Sequence, residues 1–130
     1  MTPSITLTRI PGLYTIYRLP PDAGLPDPRG VFWTVVRSPG ETTIIQAAEA
    51  DPPGSAQAGS GPWALLSVAG VIPHDATGIL AGLSAALADA GIPIFAISTF
   101  DTDYLLVPAG RTRDAENALA DCGYRLLNLE

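Results

Sequence analysis

Apolar and polar residues alternate in the first third of the chain, and helical spacing takes over in the last half. Tyr14–Leu19 (YTIYRL) alternates and is rich in β-formers, which predicts a strand. Val31–Arg37 (VFWTVVR) predicts a second, and Thr42–Gln46 its hairpin partner across the turn Ser38-Pro39-Gly40-Glu41. Ser4–Thr8 is a shorter β-like segment ahead of them. Between the strands, Pro20–Gly30 holds four prolines and two glycines and leaves room for one helical turn at most.

The second half is more regular. Trp63–Val71 (WALLSVAGV) predicts a strand and Ile72–Ala76 a loop. Thr77–Ala90 predicts a helix that Asp75 or Thr77 would cap and that Gly91 would end. Ile92–Thr99 and Asp103–Val107 predict an antiparallel pair joined by a turn at Phe100–Thr102. Arg111–Cys122 predicts a second helix with Thr112 as cap and Gly123 as stop, and Tyr124–Leu129 a last strand. On the first helix, Ile79, Leu80, Leu83, Leu87 and Ala90 form the stripe for the sheet. Ala81, Gly82, Ala85 and Ala88 make the other side small and uncharged, so another helix, from the first half or from a second chain, is expected against it.

The order β-α-β-β-α-β in the second half is the split-βαβ, ferredoxin-like pattern. The first half reads as a degenerate version of it. The fold class expected is therefore α+β: two ferredoxin-like (βαββαβ) units in tandem, the first degenerate, with antiparallel sheets and helices on one face. Ala47–Pro62 is almost wholly Ala, Gly, Pro, Ser, Asp and Gln and reads as a connector, with room for a short helix at Ala47–Ala50. The expected division is 1–50 for the first unit, 51–62 for the linker and 63–130 for the second unit.

Composition narrows the function. Hydrophobic residues make up 47 % and charged residues 15 % of 130 positions, too apolar for disorder and enough for a core. The net charge is −6, with seven Arg scattered singly and no Lys. No basic footprint exists for nucleic acid, and Schiff-base and P-loop lysine chemistry are excluded. One cysteine, Cys122, allows no internal disulfide. The first nine residues do not read as a signal peptide, and no apolar run reaches membrane-spanning length, so a cytoplasmic protein with no membrane partner is expected.

Two stretches carry a resemblance. Gly78-Ile79-Leu80-Ala81 through Ala90-Gly91-Ile92-Pro93-Ile94 resembles the core of ACT domains, where a loop and a Gly precede a helix ending in Gly-Ile. Ile94–Val107 (IFAISTFDTDYLLV), with Leu19-Pro20, Phe32-Trp33-Thr34-Val35 and Arg37-Ser38-Pro39, is similar to the ACT subfamily related to aspartokinase regulatory domains and the cytosolic arginine sensor. The resemblance implies tandem ACT units, an amino acid or similar small ligand held between units or subunits, a homo-oligomer, and a downstream protein partner. It implies no catalysis and no cofactor. The loop Val71–Gly78 departs from the family pattern at His74-Asp75, which bears on ligand choice.

An α-amino acid offers a carboxylate and an ammonium. The start of the 77–90 helix supplies free N–H groups and the positive dipole end, and Gly78 permits close approach. Asp75, Asp101 and Asp103 are the anions for the ammonium. The candidate ligand residues are His74, Asp75, Thr77, Gly78, Ile79, Phe95, Ala96, Ser98, Asp101, Thr102 and Asp103. Each also has an ordinary role: Asp75 as cap, Asp101, Thr99 and Ser98 in the turn, His74 in solvent, Trp33 and Trp63 in the core, and Cys122 buried at a helix end. Two rivals stand beside the ligand reading. An enzyme would pair His74 with Ser84, Ser98 or Cys122, or hold a metal on His74, Asp101 and Asp103, a trio short of a dedicated site, so no catalytic or metal residue is assigned. A ligand-free interaction module would dimerise through the small helix face or a sheet edge.

Overall fold

A computed structural model describes residues 5–128. Its strands are β1 (Thr6–Leu19), β2 (Thr34–Arg37), β3 (Thr42–Ala47), β4 (Ala58–Val68), β5 (Phe95–Ser98), β6 (Asp103–Pro108) and β7 (Arg125–Asn128). The helices are α1 (Ile79–Asp89) and α2 (Thr112–Asp121), the latter preceded by a 3-10 turn, Ala109–Arg111. Strands hydrogen-bond in the order β2-β3-β1-β4-β6-β5, with β7 on β1.

Two compact units share these elements. One comprises Met1–Pro11 and Ala64–Glu130, the other Gly12–Trp63. The division therefore departs from the expected boundaries at 50 and 63, because the first eleven residues cluster with the C-terminal half and the other unit is inserted between them.

The unit formed by residues 64–130 contains both helices. Its core draws Leu7 from β1, Ala64, Leu66 and Val68 from β4, and Leu105 and Val107 from β6. These alternate positions share one sheet face, since side chains repeat every second residue. Leu83, Ala86 and Leu87 of α1 and Ala115 and Leu119 of α2 pack on it, so both helices cover the same face. Leu65 and Leu106, of opposite parity, are also fully buried, which is why β4 and β6 read as continuous apolar runs. β7 runs parallel to β1, with Thr6 opposite Arg125 and Arg9 opposite Asn128. That pair corrects the expectation of a purely antiparallel sheet. It also inserts a strand between the first and last strands of the β4-α1-β5-β6-α2-β7 series.

Both helices end as their glycines predict. Gly91 (φ 73°) and Gly123 (φ 95°) are left-handed. After α1, Gly91 N–H donates to Ala88 O (2.9 Å) and Ile92 N–H to Leu87 O (2.9 Å). After α2, Gly123 N–H donates to Ala120 O (3.0 Å) and Tyr124 N–H to Leu119 O (3.1 Å). These are Schellman closures, and the buried pairs Leu87/Ile92 and Leu119/Tyr124 supply their apolar contact. The expected caps at the other ends are corrected. Neither Asp75 nor Thr77 caps α1; its N-cap is Gly78, left-handed at φ 81°, with no side-chain cap bond. Thr112 is the first residue of α2, and its hydroxyl donates back to Ala109 O (2.8 Å). Ala81, Ala85 and Ala88 are exposed, so no element of this chain covers that part of the small face of α1.

The unit formed by residues 12–63 has strands only among its described residues. β3 pairs antiparallel with both β1 and β2, Ile16 opposite Ile45 and Val35 opposite Ile44. Tyr14, Ile16, Leu19, Ile44, Ile45 and Trp63 are its buried apolar side chains, while Trp33 is half-buried. Ser38 N–H donates to Glu41 O (2.9 Å) and closes the predicted hairpin turn. The proline-rich segment after β1 is irregular and strapped from outside: Arg37 donates to the carbonyls of Pro21 and Ala23, and Thr42 to Pro21 O (3.1 Å). Two expectations fail here. Residues 9–13 continue β1 rather than interrupt it, and Ala58–Pro62 begin β4 rather than a linker. Ala47–Ala50 forms a turn, not a helix.

Candidate ligand site

Three segments of the helical unit enclose a cavity of about 320 Å³: the loop after β4, the first turn of α1, and the β5–β6 turn. That volume lies at the lower end of small-molecule sites. Ile72, Pro73, His74, Ala76 and Gly78 line it from the loop, Ile79, Leu80 and Ala81 from the helix, and Thr99–Asp103 from the turn.

The helix wall follows from the cap. Gly78 takes a left-handed conformation that costs other residues about 1–2 kcal/mol. The first backbone bond inside α1 is Gly82 N–H to Gly78 O (3.0 Å). The N–H groups of Ile79, Leu80 and Ala81 therefore have no intrahelical acceptor, and all three residues line the cavity. The dipole of α1 adds partial positive charge at the same end.

The opposite wall is a tied turn. Thr99 N–H donates to Thr102 O (2.8 Å), and Thr102 N–H to Thr99 Oγ1 (3.2 Å). Thr102 Oγ1 donates to Val68 O (2.7 Å), fixing the turn to the end of β4. Asp103 opens β6 and accepts from Ser98 Oγ (2.6 Å). The Asp101 carbonyl accepts Ile72 N–H (2.7 Å), and His74 Nε2 lies 2.7 Å from Phe100 O with its ring edge-on to Phe100 at 4.5 Å. Residues with unbonded helix-start N–H groups thus line one wall, and Asp101 and Asp103 are among those lining the other.

Of the residues singled out in the sequence, His74, Gly78, Ile79, Asp101, Thr102 and Asp103 line the cavity. Asp75 and Thr77 sit in the same loop with exposed side chains but do not line it. Phe95, Ala96 and Ser98 belong to β5 and do not line it either, although Ser98 holds Asp103. Ile72, Pro73, Ala76, Leu80, Ala81, Thr99 and Phe100 complete the lining. Their only sequence signal is adjacency to the chosen polar residues.

The hydroxyls named as possible nucleophiles are engaged elsewhere. Ser84 Oγ donates to Leu80 O (2.9 Å), Ser98 Oγ to Asp103, and His74 holds Phe100 O. Cys122, expected buried, is exposed at the end of α2. Among the described residues no group of His, Cys, Asp or Glu is placed to hold a metal ion, and no helix is long and apolar enough to cross a membrane.

Two phenols are perturbed away from the cavity. Burial, and secondarily the Glu49 carboxylate, raises Tyr14 above its ordinary value. Burial, and secondarily Cys122, raises Tyr124.

Comparison with known proteins bears on the fold. The chain is similar to protein Atu0741 from Agobacterium tumefaciens, at 30% identity over 99% of this chain and 96% of that one, with a TM-score of 0.90. The fold is shared with aspartokinase alpha and beta subunits (14% identity, 90% and 96% coverage, TM-score 0.61). It is shared also with the ligand-free regulatory subunit of aspartate kinase from Thermus thermophilus (15% identity, 85% and 93% coverage, TM-score 0.55). No curated protein matches the sequence. Residues 60–121 match the model of the ACT domain, a span that holds β4 from Ser60 onward, both helices, β5, β6 and the whole cavity lining. The ACT domain model thus matches the stretch that holds both helices and the cavity, and the aspartokinase subunits share the fold.

Proposed function

We propose that the chain is a non-catalytic regulatory module that binds an amino acid or a close analogue in the cavity at the start of α1. The observation that carries this reading is the pairing of opposite chemistries across one small space. The N–H groups of Ile79, Leu80 and Ala81 suit a carboxylate, and Asp101 and Asp103 suit an ammonium. Ile72, Ile79 and Leu80 supply apolar surface for a side chain. The aspartokinase regulatory subunit among the structural neighbours agrees with a regulatory rather than catalytic role.

Regulation follows from differential affinity. A ligand that bridges the helix start and the β5–β6 turn favours the arrangement in which both walls are close, by as much as its affinity for that arrangement exceeds that for any other. A homo-oligomer and a downstream protein that reads the closed arrangement complete the proposal, which places the module in the cytoplasm.

A thermal-shift screen of the purified protein against the twenty amino acids, nucleotides and divalent cations tests the reading. A ligand at 100 times its Kd stabilises by about 2.7 kcal/mol, a shift of several degrees for a chain of this size. A selective shift with one amino acid or a narrow class supports it. A shift only with a nucleotide or a metal ion would replace it with a different chemistry.

A further inference from the structure

The two walls of the cavity are held to each other unequally. The β5–β6 turn is braced by its own threonines and by the bond from Thr102 to Val68 O. The facing loop, from Ile72 to Gly78, is joined to that turn by bonds to two successive carbonyls: Ile72 N–H to Asp101 O and His74 to Phe100 O, both at 2.7 Å. The first is a backbone bond beside the end of β4. The second belongs to a side chain in mid-loop, between two residues that are both exposed.

We propose that His74 is a positioning residue, a latch that holds the loop wall of the cavity against the β5–β6 turn and whose release opens that wall. A carbonyl oxygen only accepts, so Nε2 carries the proton and the neutral ring is fixed in the Nε2–H tautomer. Nδ1 is then the ring's remaining acceptor. The edge-on contact with Phe100 adds packing to the bond, and Phe100 is itself 80% exposed, so little else holds this side of the wall. Local opening in a segment with few buried contacts is the low-cost motion of a fold. The latch is a property of the chain alone; its consequence for ligand entry rests on the proposed ligand reading.

The test uses the ligand-free chain, so its failure is distinct from failure of the amino-acid screen. Long-range nitrogen spectra of the imidazole in mildly alkaline buffer should show Nε2 protonated and Nδ1 unprotonated. Amide exchange should then be compared in wild type, His74→Phe, which keeps a ring but no donor, and His74→Gln, whose amide places a donor near the Nε2 position. Losing one hydrogen bond should speed exchange at Ile72 and Ala76 about fivefold in His74→Phe, with His74→Gln returning most of the protection. Exchange outside 72–78 should not change. An Nδ1–H tautomer in wild type, equal protection in wild type and His74→Phe, or no recovery in His74→Gln would overturn the proposal.

Discussion

Gly82 sits mid-way along α1, where an alanine is ordinarily the better residue by about 1 kcal/mol. In this fold the substitution should do the reverse. A Cβ built at position 82 meets the Tyr124 hydroxyl at 2.6 Å, while the ring carbon that bears the hydroxyl is 4.0 Å away. Restoring ordinary contact needs a displacement of about 0.8 Å. Tyr124 is 9% exposed and belongs to the core cluster, so the ring cannot swing away freely. Overpacking of this kind costs about 1–3 kcal/mol. Gly82→Ala should therefore lower stability by about 1 kcal/mol net, once the helix gain is subtracted. In a Tyr124→Phe background the obstructing oxygen is gone and the nearest ring atom is at ordinary contact distance. There the same substitution should raise stability by about 1 kcal/mol. Urea unfolding of the four members of this cycle measures both numbers and a coupling of about 2 kcal/mol. Equal effects of Gly82→Ala in the two backgrounds would refute the reasoning and show that α1 moves aside without cost.

Three further outcomes follow from the same geometry. Gly78→Ala should destabilise by about 1–2 kcal/mol in urea unfolding, since φ 81° disfavours any L side chain although nothing stands within 4 Å of the new Cβ. Arg37→Ala should leave β2 and β3 paired but release the carbonyls of Pro21 and Ala23, and limited proteolysis should then cut first within 20–30. Tyr14 and Tyr124 have phenols raised above their unfolded value, so the folded state holds these protons more tightly. Their contribution is fully present below about pH 10 and is lost as pH rises through the folded values. Stability should fall in alkali above about pH 10, and Tyr14→Phe with Tyr124→Phe should flatten that slope.

Local chemistry was sufficient where the sequence carried it. Gly91 and Gly123 marked the helix ends because left-handed closure needs them, and Ser38–Glu41 marked the hairpin. Pairing at a distance was not legible. Ala58–Pro62 has almost no β propensity, yet it forms the start of β4 beside β1. A Cβ added at Gly59 would meet the Tyr17 ring at 3.0 Å, and one at Gly61 would meet Tyr14 O at 3.0 Å, so these glycines serve close approach rather than a flexible link. The same blindness hid the parallel seat of β7 on β1, which moved the first eleven residues into the other unit. At the cavity, the loop-helix start and the hairpin turn offered polar side chains in the sequence, and the fold sets the two segments side by side. Asp75 and Thr77 were not lining residues, because a left-handed Gly78 took the cap and left their side chains in solvent.

The central claim is that an amino-acid-like ligand occupies the space between the start of α1 and the β5–β6 turn. Its most direct test is to titrate each amino acid into the ¹⁵N-labelled chain and follow every backbone amide. The account predicts that at least one produces saturable shifts at Ile79, Leu80 and Ala81 together with Thr99–Asp103, and that Asp101→Asn with Asp103→Asn weakens that binding about tenfold or more. Saturable shifts confined to residues 12–63, or binding unchanged in the double variant, would contradict it.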